Sequence, residues 1–151
     1  MHVRKVLELY PRLEPVIDDI LPKKDPPTVL GKGKDHINLV LVGGECLFYQ
    51  QRDGPLMPTL RLVHKYPTMM PAVQVDKGAI KFVLKGANIM CPGLTSPGGH
   101  MDDAPKDAVV QIRAEGKEHA CAIGVMTMST DDVRTVRRAF SGASGISNDL
   151  I

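Results

Sequence analysis

Gln74-Val75-Asp76-Lys77-Gly78-Ala79-Ile80-Lys81-Phe82-Val83-Leu84-Lys85-Gly86-Ala87-Asn88-Ile89-Met90-Cys91-Pro92-Gly93-Leu94 is the stretch whose reading decides the fold. Ile80, Val83, Leu84 and Ala87 recur at i, i+3, i+4 and i+7, the signature of one apolar helix face. The spacing predicts a helix from about Asp76 to Lys85, with Asp76 capping its start and Gly86 taking the left-handed position that ends it. Lys77, Lys81 and Lys85, four apart, line up beside that face as a basic stripe. Gly78 falls near the stripe, where a missing side chain lets a phosphate approach the backbone. Phe82 points away from the apolar face, so it is expected to be more exposed than Ile80, Val83 and Leu84, free to stack on a base or meet a partner. Beyond Gly86, Ala87 to Met90 reads as a short strand closed by Pro92-Gly93. Taken by itself the lysine stripe reads as a solvated face.

Downstream, a polar loop from Thr95 to Lys106 is expected to be mobile or partner-dependent. Ala108 to Ala114 and His119 to Met128 read as an antiparallel pair around Glu115-Gly116. A helix starts at Ser129, whose spacing to Asp132 resembles a capping box. Asp131 and Asp132 at its start and Arg134, Arg137 and Arg138 beyond suit the helix dipole. Ile146 to Ile151 reads as a closing strand.

Upstream, Pro67 and Pro71 punctuate a domain boundary, giving domains 1–71 and 72–151. Val6, Leu7 and Leu9 fall on a short helix stopped near Pro11. Leu13, Val16, Ile17, Ile20 and Leu21 form a second helical stripe, ended by Pro22 and Pro26-Pro27. The period then changes to two: Ile37, Leu39 and Leu41 make a strand, Gly43-Gly44 a hairpin turn, and Cys46 to Gln51 the returning strand. Thr59 to His64 reads as a short helix. Arg61, His64 and Lys65 form a second basic cluster that either extends a binding surface or pairs with nearby acids. Gly31-Lys32-Gly33-Lys34 lacks Walker A spacing and reads as a solvated hairpin tip.

The 151 residues suffice for one medium domain or two small ones. Net charge is +2. Residues 1–71 hold ten Lys/Arg against eight Asp/Glu, and residues 72–151 hold nine against nine. Bulk charge therefore does not point to nucleic acid, and a binding surface has to be a local patch. Aromatics make up 4% with no Trp, so the cores are built from Val, Ile, Leu and Met. No apolar run approaches the ~20 residues of a membrane span. Three cysteines without a C-x-x-C pair argue for a reducing compartment, and the cytoplasm is the expected location.

The stretch 74–94 resembles the opening of a PUA domain, in which a D-x-G-A helix start leads to a G-A-x-I-M-x-P-G-L strand. Pro58-Thr59-Leu60-Arg61-Leu62-Val63-His64-Lys65-Tyr66-Pro67 and Pro22-Lys23-Lys24-Asp25-Pro26 extend the likeness. Over nearly its whole length the chain is similar to the malignant T-cell amplified sequence protein family, which also resembles part of ligatin. It opens inside what that family has as its first long helix, and Ser147 to Ile151 keeps a shortened trace of the family's closing strand. The resemblance implies an α+β fold: a small N-terminal α/β domain packed on a C-terminal PUA β pseudo-barrel with two helices. It also turns the lysine stripe toward RNA. The implied role is in translation initiation, reinitiation or ribosome recycling on the small ribosomal subunit. The chain would contact rRNA or tRNA and be paired with a density-regulated-protein-like partner, held mainly by the N-terminal domain. The implied RNA surface is Lys77, Gly78, Lys81, Phe82, Lys85, Gly86, Ala87, Asn88, Met90, Pro92 and Gly93.

No catalytic constellation, cofactor or metal is expected. His119-x-Cys121 puts two metal-ligand types on one strand face, but His36, Cys46, His64, Cys91 and His100 show no closing pattern. Cys121 reads instead as a small buried hydrophobe and Cys91 as packing. About seventy residues precede the PUA-like module, too few for a pseudouridine synthase or transglycosylase domain. Two alternatives stand beside the translation factor: a PUA-fold protein-interaction module, and an accessory subunit of an RNA-modification enzyme.

Overall fold

A computed structural model describes residues 2–32, 36–52, 54–139 and 144–149. The fold is α+β, and chain contacts divide it into two compact units, Met1–Met69 and Met70–Ile151. Among the described residues no helix is long and apolar enough to cross a membrane.

The first unit opens with α1 (His2–Leu9), a 3-10 turn (Pro11–Val16) and α2 (Ile17–Ile20). The expected stripe is in phase: Leu13, Ile17, Ile20 and Leu21 are buried. The backbone between them is 3-10 rather than α, since Pro15 inside the segment has no N–H to give an α-helical bond. Tyr10 is buried between the helices, donates its hydroxyl to Leu56 O at 2.5 Å and stacks on Phe48. A four-stranded sheet follows in the order β1 (Thr28–Lys32), β2 (Ile37–Val42), β3 (Glu45–Gln51), β4 (Met57–Pro58). The β2–β3 hairpin turns at Gly43-Gly44 as its dipeptide demands. Strand β1 was not foreseen. It occupies most of what the sequence suggests is loop and hairpin tip, and Gly33 and Lys34 of that tip lie outside the described residues. α3 (Leu60–Lys65) buries Leu62 and Val63.

The second unit is a six-stranded sheet in the order β6-β10-β9-β8-β5-β7. Its strands are β5 (Ala72–Val75), β6 (Ile89–Met90), β7 (His100–Met101), β8 (Val109–Ala114), β9 (Ala120–Met126) and β10 (Ser144–Asp149). The β8–β9 pair matches the expected hairpin. β5, which lacks a strong period of its own, runs parallel to β8. β10 spans 144–149 rather than 146–151, and Leu150 and Ile151 lie outside the described residues.

Helices α4 (Ile80–Leu84), α5 (Cys91–Thr95) and α6 (Thr130–Ala139) are three where two were expected. Pro92-Gly93 does not close a strand: Pro92 sits in the first turn of α5, where a missing N–H costs nothing. At α6 the side chain of Ser129 accepts the N–H of Asp132 at 3.1 Å, the cap that the sequence spacing requires. The core joins Val73, Val75, Val83, Ile89, Cys91, Leu94, Val110, Ile112, Met126 and Val133.

The 95–107 segment is pinned, not loose. Gln74 holds Gly98 O, Asp102 accepts Ala72 N–H, Thr130 Oγ1 accepts Ala104 N–H, and Arg134 reaches Met101 O and Asp103. Each tie satisfies a backbone or side-chain polar group that the loop would otherwise leave to water.

Candidate nucleic-acid interface

Asp76 organises the stretch 74–96. Its carboxylate accepts the N–H of Ala79 at 2.9 Å and the hydroxyl of Ser96 at 2.6 Å, and its own N–H donates to Gly93 O at 3.2 Å. The side-chain bond to Ala79 holds residues 77–79 in a turn. The expected helix over Asp76–Lys85 is therefore shorter, running only from Ile80 to Leu84. Its end is as expected. Gly86 takes φ +79°, Ala87 N–H reaches Phe82 O and Gly86 N–H reaches Val83 O, the paired bonds of a Schellman cap.

This shortening corrects the helix phase. Val83 is buried at 1% exposure and Ile80 packs against the core, but Leu84 is 58% exposed and Ala87 is also exposed. Phe82, at 52%, is thus more exposed than Ile80 and Val83 but not more than Leu84. With one helical turn available, only one side-chain position can face inward along its length, and Val83 occupies it. The lysines likewise do not share one helix: Lys77 lies in the turn, Lys81 on α4, and Lys85 at its C-cap. All three are exposed. Lys81 Nζ lies 5.1 Å from the Phe82 ring centroid, within cation–π range. The backbone N–H of Lys77 donates to Glu115 at 3.0 Å.

Between α4, β6 and α5 lies a groove of about 470 Å3, within the ~300–1,000 Å3 range of small-molecule sites. Of the residues singled out from sequence, Gly78, Phe82, Ala87, Asn88, Met90, Pro92 and Gly93 line it. Lys77, Lys81, Lys85 and Gly86 belong to the same segment without lining it. Asp76, Ala79, Val83, Ile89 and Ser96 complete the wall and were not in the expected set. Asp76 had a capping signal in the sequence; Ser96 had none, because its role depends on a contact twenty residues away. Gly93 earns its place by packing, since a Cβ there would meet Ala79 Cβ at 3.3 Å. Gly78 does not: a Cβ would make an ordinary 3.4 Å contact with Asp76.

The second basic cluster sits on α3 in the first unit. Arg61 pairs with Glu45 at 3.9 Å in solvent, and Lys65 lies over the Tyr66 ring at 5.8 Å. For Arg61 the acid-pairing alternative is the one observed. His64 lies in the helix's last turn.

Among the described residues no group of three or more His, Cys, Asp or Glu could hold a metal ion. Burial pushes the Cys46, Cys91 and Cys121 thiols up, away from the reactive thiolate. Cys91 is fully buried; Cys121 is only partly so, packed against the core with its thiol directed to Ile112 O.

The model of the Pre-PUA-like domain matches residues 3–67, and that of the PUA domain matches residues 71–142. A Dictyostelium discoideum malignant T-cell-amplified sequence 1 homolog is 60% identical over 132 residues, 87% of this chain and 72% of that protein. Malignant T-cell-amplified sequence 1 of Rattus norvegicus is 54% identical over 134 residues, 89% and 73% of the two chains. In three dimensions a hypothetical protein from Pyrococcus horikoshii superposes with a TM-score of 0.68 at 22% identity, over 97% of this chain and 89% of that one. Family and domain together support an RNA-binding PUA protein. With both domain models matched in order and more than half the residues shared with these relatives, the chain belongs to the malignant T-cell-amplified sequence family.

Proposed function

We propose that this protein is a non-catalytic translation factor of the cytoplasm. It binds rRNA or tRNA through its PUA domain, residues 72–151, on the small ribosomal subunit during initiation, reinitiation or recycling. Residues 1–71 form the pre-PUA domain, which serves a density-regulated-protein-like partner. Lys77, Lys81 and Lys85 contact phosphates. Gly78, Phe82 and the segment Gly86-Ala87-Asn88, Met90, Pro92 and Gly93 supply the surface beside them. The observation that carries this reading is the juxtaposition on one segment of three exposed lysines and an exposed Phe82 beside the groove. Cation plus aromatic face is the combination that single-stranded RNA rewards.

The test is sedimentation of the purified chain with small ribosomal subunits, with and without RNase. Co-sedimentation that depends on intact RNA supports the reading. A chain that stays in the supernatant with purified subunits and binds no rRNA or tRNA at low salt overturns it.

A second reading has an observation of its own. Phe82, Leu84 and Met90 are 52%, 58% and 42% exposed, an apolar set that favours a protein ligand on the PUA surface instead. Binding by that route is weakly salt-dependent and is lost in Phe82→Ala and Leu84→Ala. Binding to RNA follows the lysines and falls steeply with salt.

A further inference from the structure

Among the described residues the two sheets have four edges, and three are stubs. β4, β6 and β7 are two residues each, and β4 ends on Pro58. β1 is the exception. It is five residues long, pairs on one side only, with β2, and keeps an unbroken register from Thr28 opposite Leu41 to Lys32 opposite Ile37. Neighbouring Val29 and Leu30 project to opposite faces of the strand, and they are 43% and 46% exposed. Thr28 and Gly31 are exposed as well. Folded proteins ordinarily blunt an edge with a proline, a charge, a bulge or sheer shortness. From Thr28 to Gly31, β1 carries none of the four.

We propose that the open edge of β1 is a docking site for an extended segment of a partner protein, which adds a fifth strand to this sheet. Every second residue of β1 turns its N–H and C=O away from β2, and those groups are spaced for another polypeptide backbone. No cationic side chain lies between Thr28 and Gly31, so the strand offers a phosphate nothing. Its two apolar side chains offer a β-strand a contact on each face. A second copy of the chain fits poorly, because rigid pairing along five residues buries far less than the ~1,200 Å2 at which stable interfaces begin. A flexible segment has no such requirement beyond the strand's own length. Charge sets its flanks: exposed Lys23 and Lys24 precede the strand against one Asp25, and Lys32 closes it. The segment that fits has an apolar, β-branched centre bordered by acidic residues.

The experiment uses the full chain and a display library of random twelve-residue peptides. A peptide enriched from it is synthesised with a fluorescent label. Its binding is read by anisotropy and its site by hydrogen exchange. The expected consensus is an apolar centre with Asp or Glu flanks. Amide exchange across 28–32 slows tenfold or more at saturation. Val29→Lys and Leu30→Lys, each placing a charge at a position already in water, weaken binding at least tenfold without lowering Tm. The proposal is overturned if no peptide is enriched, or if enriched peptides bind both variants like the parent chain. It is equally overturned if protection appears away from 28–32, or if the parent chain dimerises with concentration and Leu30→Lys does not, which makes a second copy the occupant.

Discussion

Replacing Lys77, Lys81 and Lys85 together with Ala tests the RNA surface where its physics is best defined. The side chains are exposed, and no described acid pairs with them. The bond that fixes Lys77 runs from its backbone to Glu115 and survives truncation. Stability should therefore change little, since Lys and Ala differ only modestly in helix propensity. If each lysine neutralises one phosphate, the slope of log affinity against log salt shrinks by about 0.7 to 0.9 per lysine, or roughly 2 to 2.7 for the three. Between 50 and 200 mM salt that component alone accounts for a roughly 20- to 40-fold fall in affinity, which the variant no longer shows. The assay is a filter-binding or anisotropy titration on rRNA and tRNA fragments at four salt concentrations. Lys5, Lys23 and Lys24, exposed and in the first unit, make a control of equal charge change. Arg134 is unsuitable as a control because it ties down Met101 O and Asp103. An unchanged slope in the folded lysine variant, or an equal loss in the control, refutes the assigned surface.

Val83→Ala should destabilise the chain by about 2 kcal/mol in urea denaturation, because its buried methyls leave a void; Leu84→Ala, at 58% exposure, should stay within about 0.5 kcal/mol. A large cost for Leu84→Ala would mean that the α4 phase is wrong. Asp76→Ala leaves the N–H of Ala79 and the hydroxyl of Ser96 without their acceptor, and should cost about 1–3 kcal/mol; an unchanged denaturation midpoint argues against its organising role. Burial, with a smaller contribution from Tyr49, raises the Tyr10 hydroxyl far above its ordinary range. Its protonated form is the one the fold prefers, so its contribution is complete below the unfolded value of about 10 and declines above it. The decline approaches about 1.4 kcal/mol per pH unit, and Tyr10→Phe, measured by denaturation at stepped alkaline pH, should flatten it.

What the sequence revealed of the fold was whatever local chemistry enforces. The Gly43-Gly44 hairpin, the Ser129 cap and the Gly86 helix end each depend on bonds between residues a few positions apart, and each is found where the residue types require it. β1 and β5 escaped because their pairing partners supply their order. β5 lies parallel to β8, thirty-seven residues on by register, and β1 buries neither face, so no alternation marks it. α5 was hidden for a different reason. Pro92-Gly93 is a turn signal in isolation and becomes a helix start only because Gly93 can lie against Ala79.

The candidate site divides along the same line. Residues that a motif could name, such as Phe82, Asn88, Met90 and Gly93, do meet around one groove. The helix proposed to carry them was too long, because periodicity counts apolar residues without asking what interrupts the backbone. Asp76 interrupts it: the carboxylate that was expected to start a helix instead closes a turn and then reaches Ser96. That single local bond shortens α4 to five residues and turns Leu84 outward beside Phe82. A three-lysine stripe on a long helix would present one kind of surface. The short helix presents cations and apolar side chains together, and that mixture makes both an RNA strand and a protein segment sensible ligands for the same face. Salt separates the two, because releasing counterions belongs to the lysines and covering Leu84 does not.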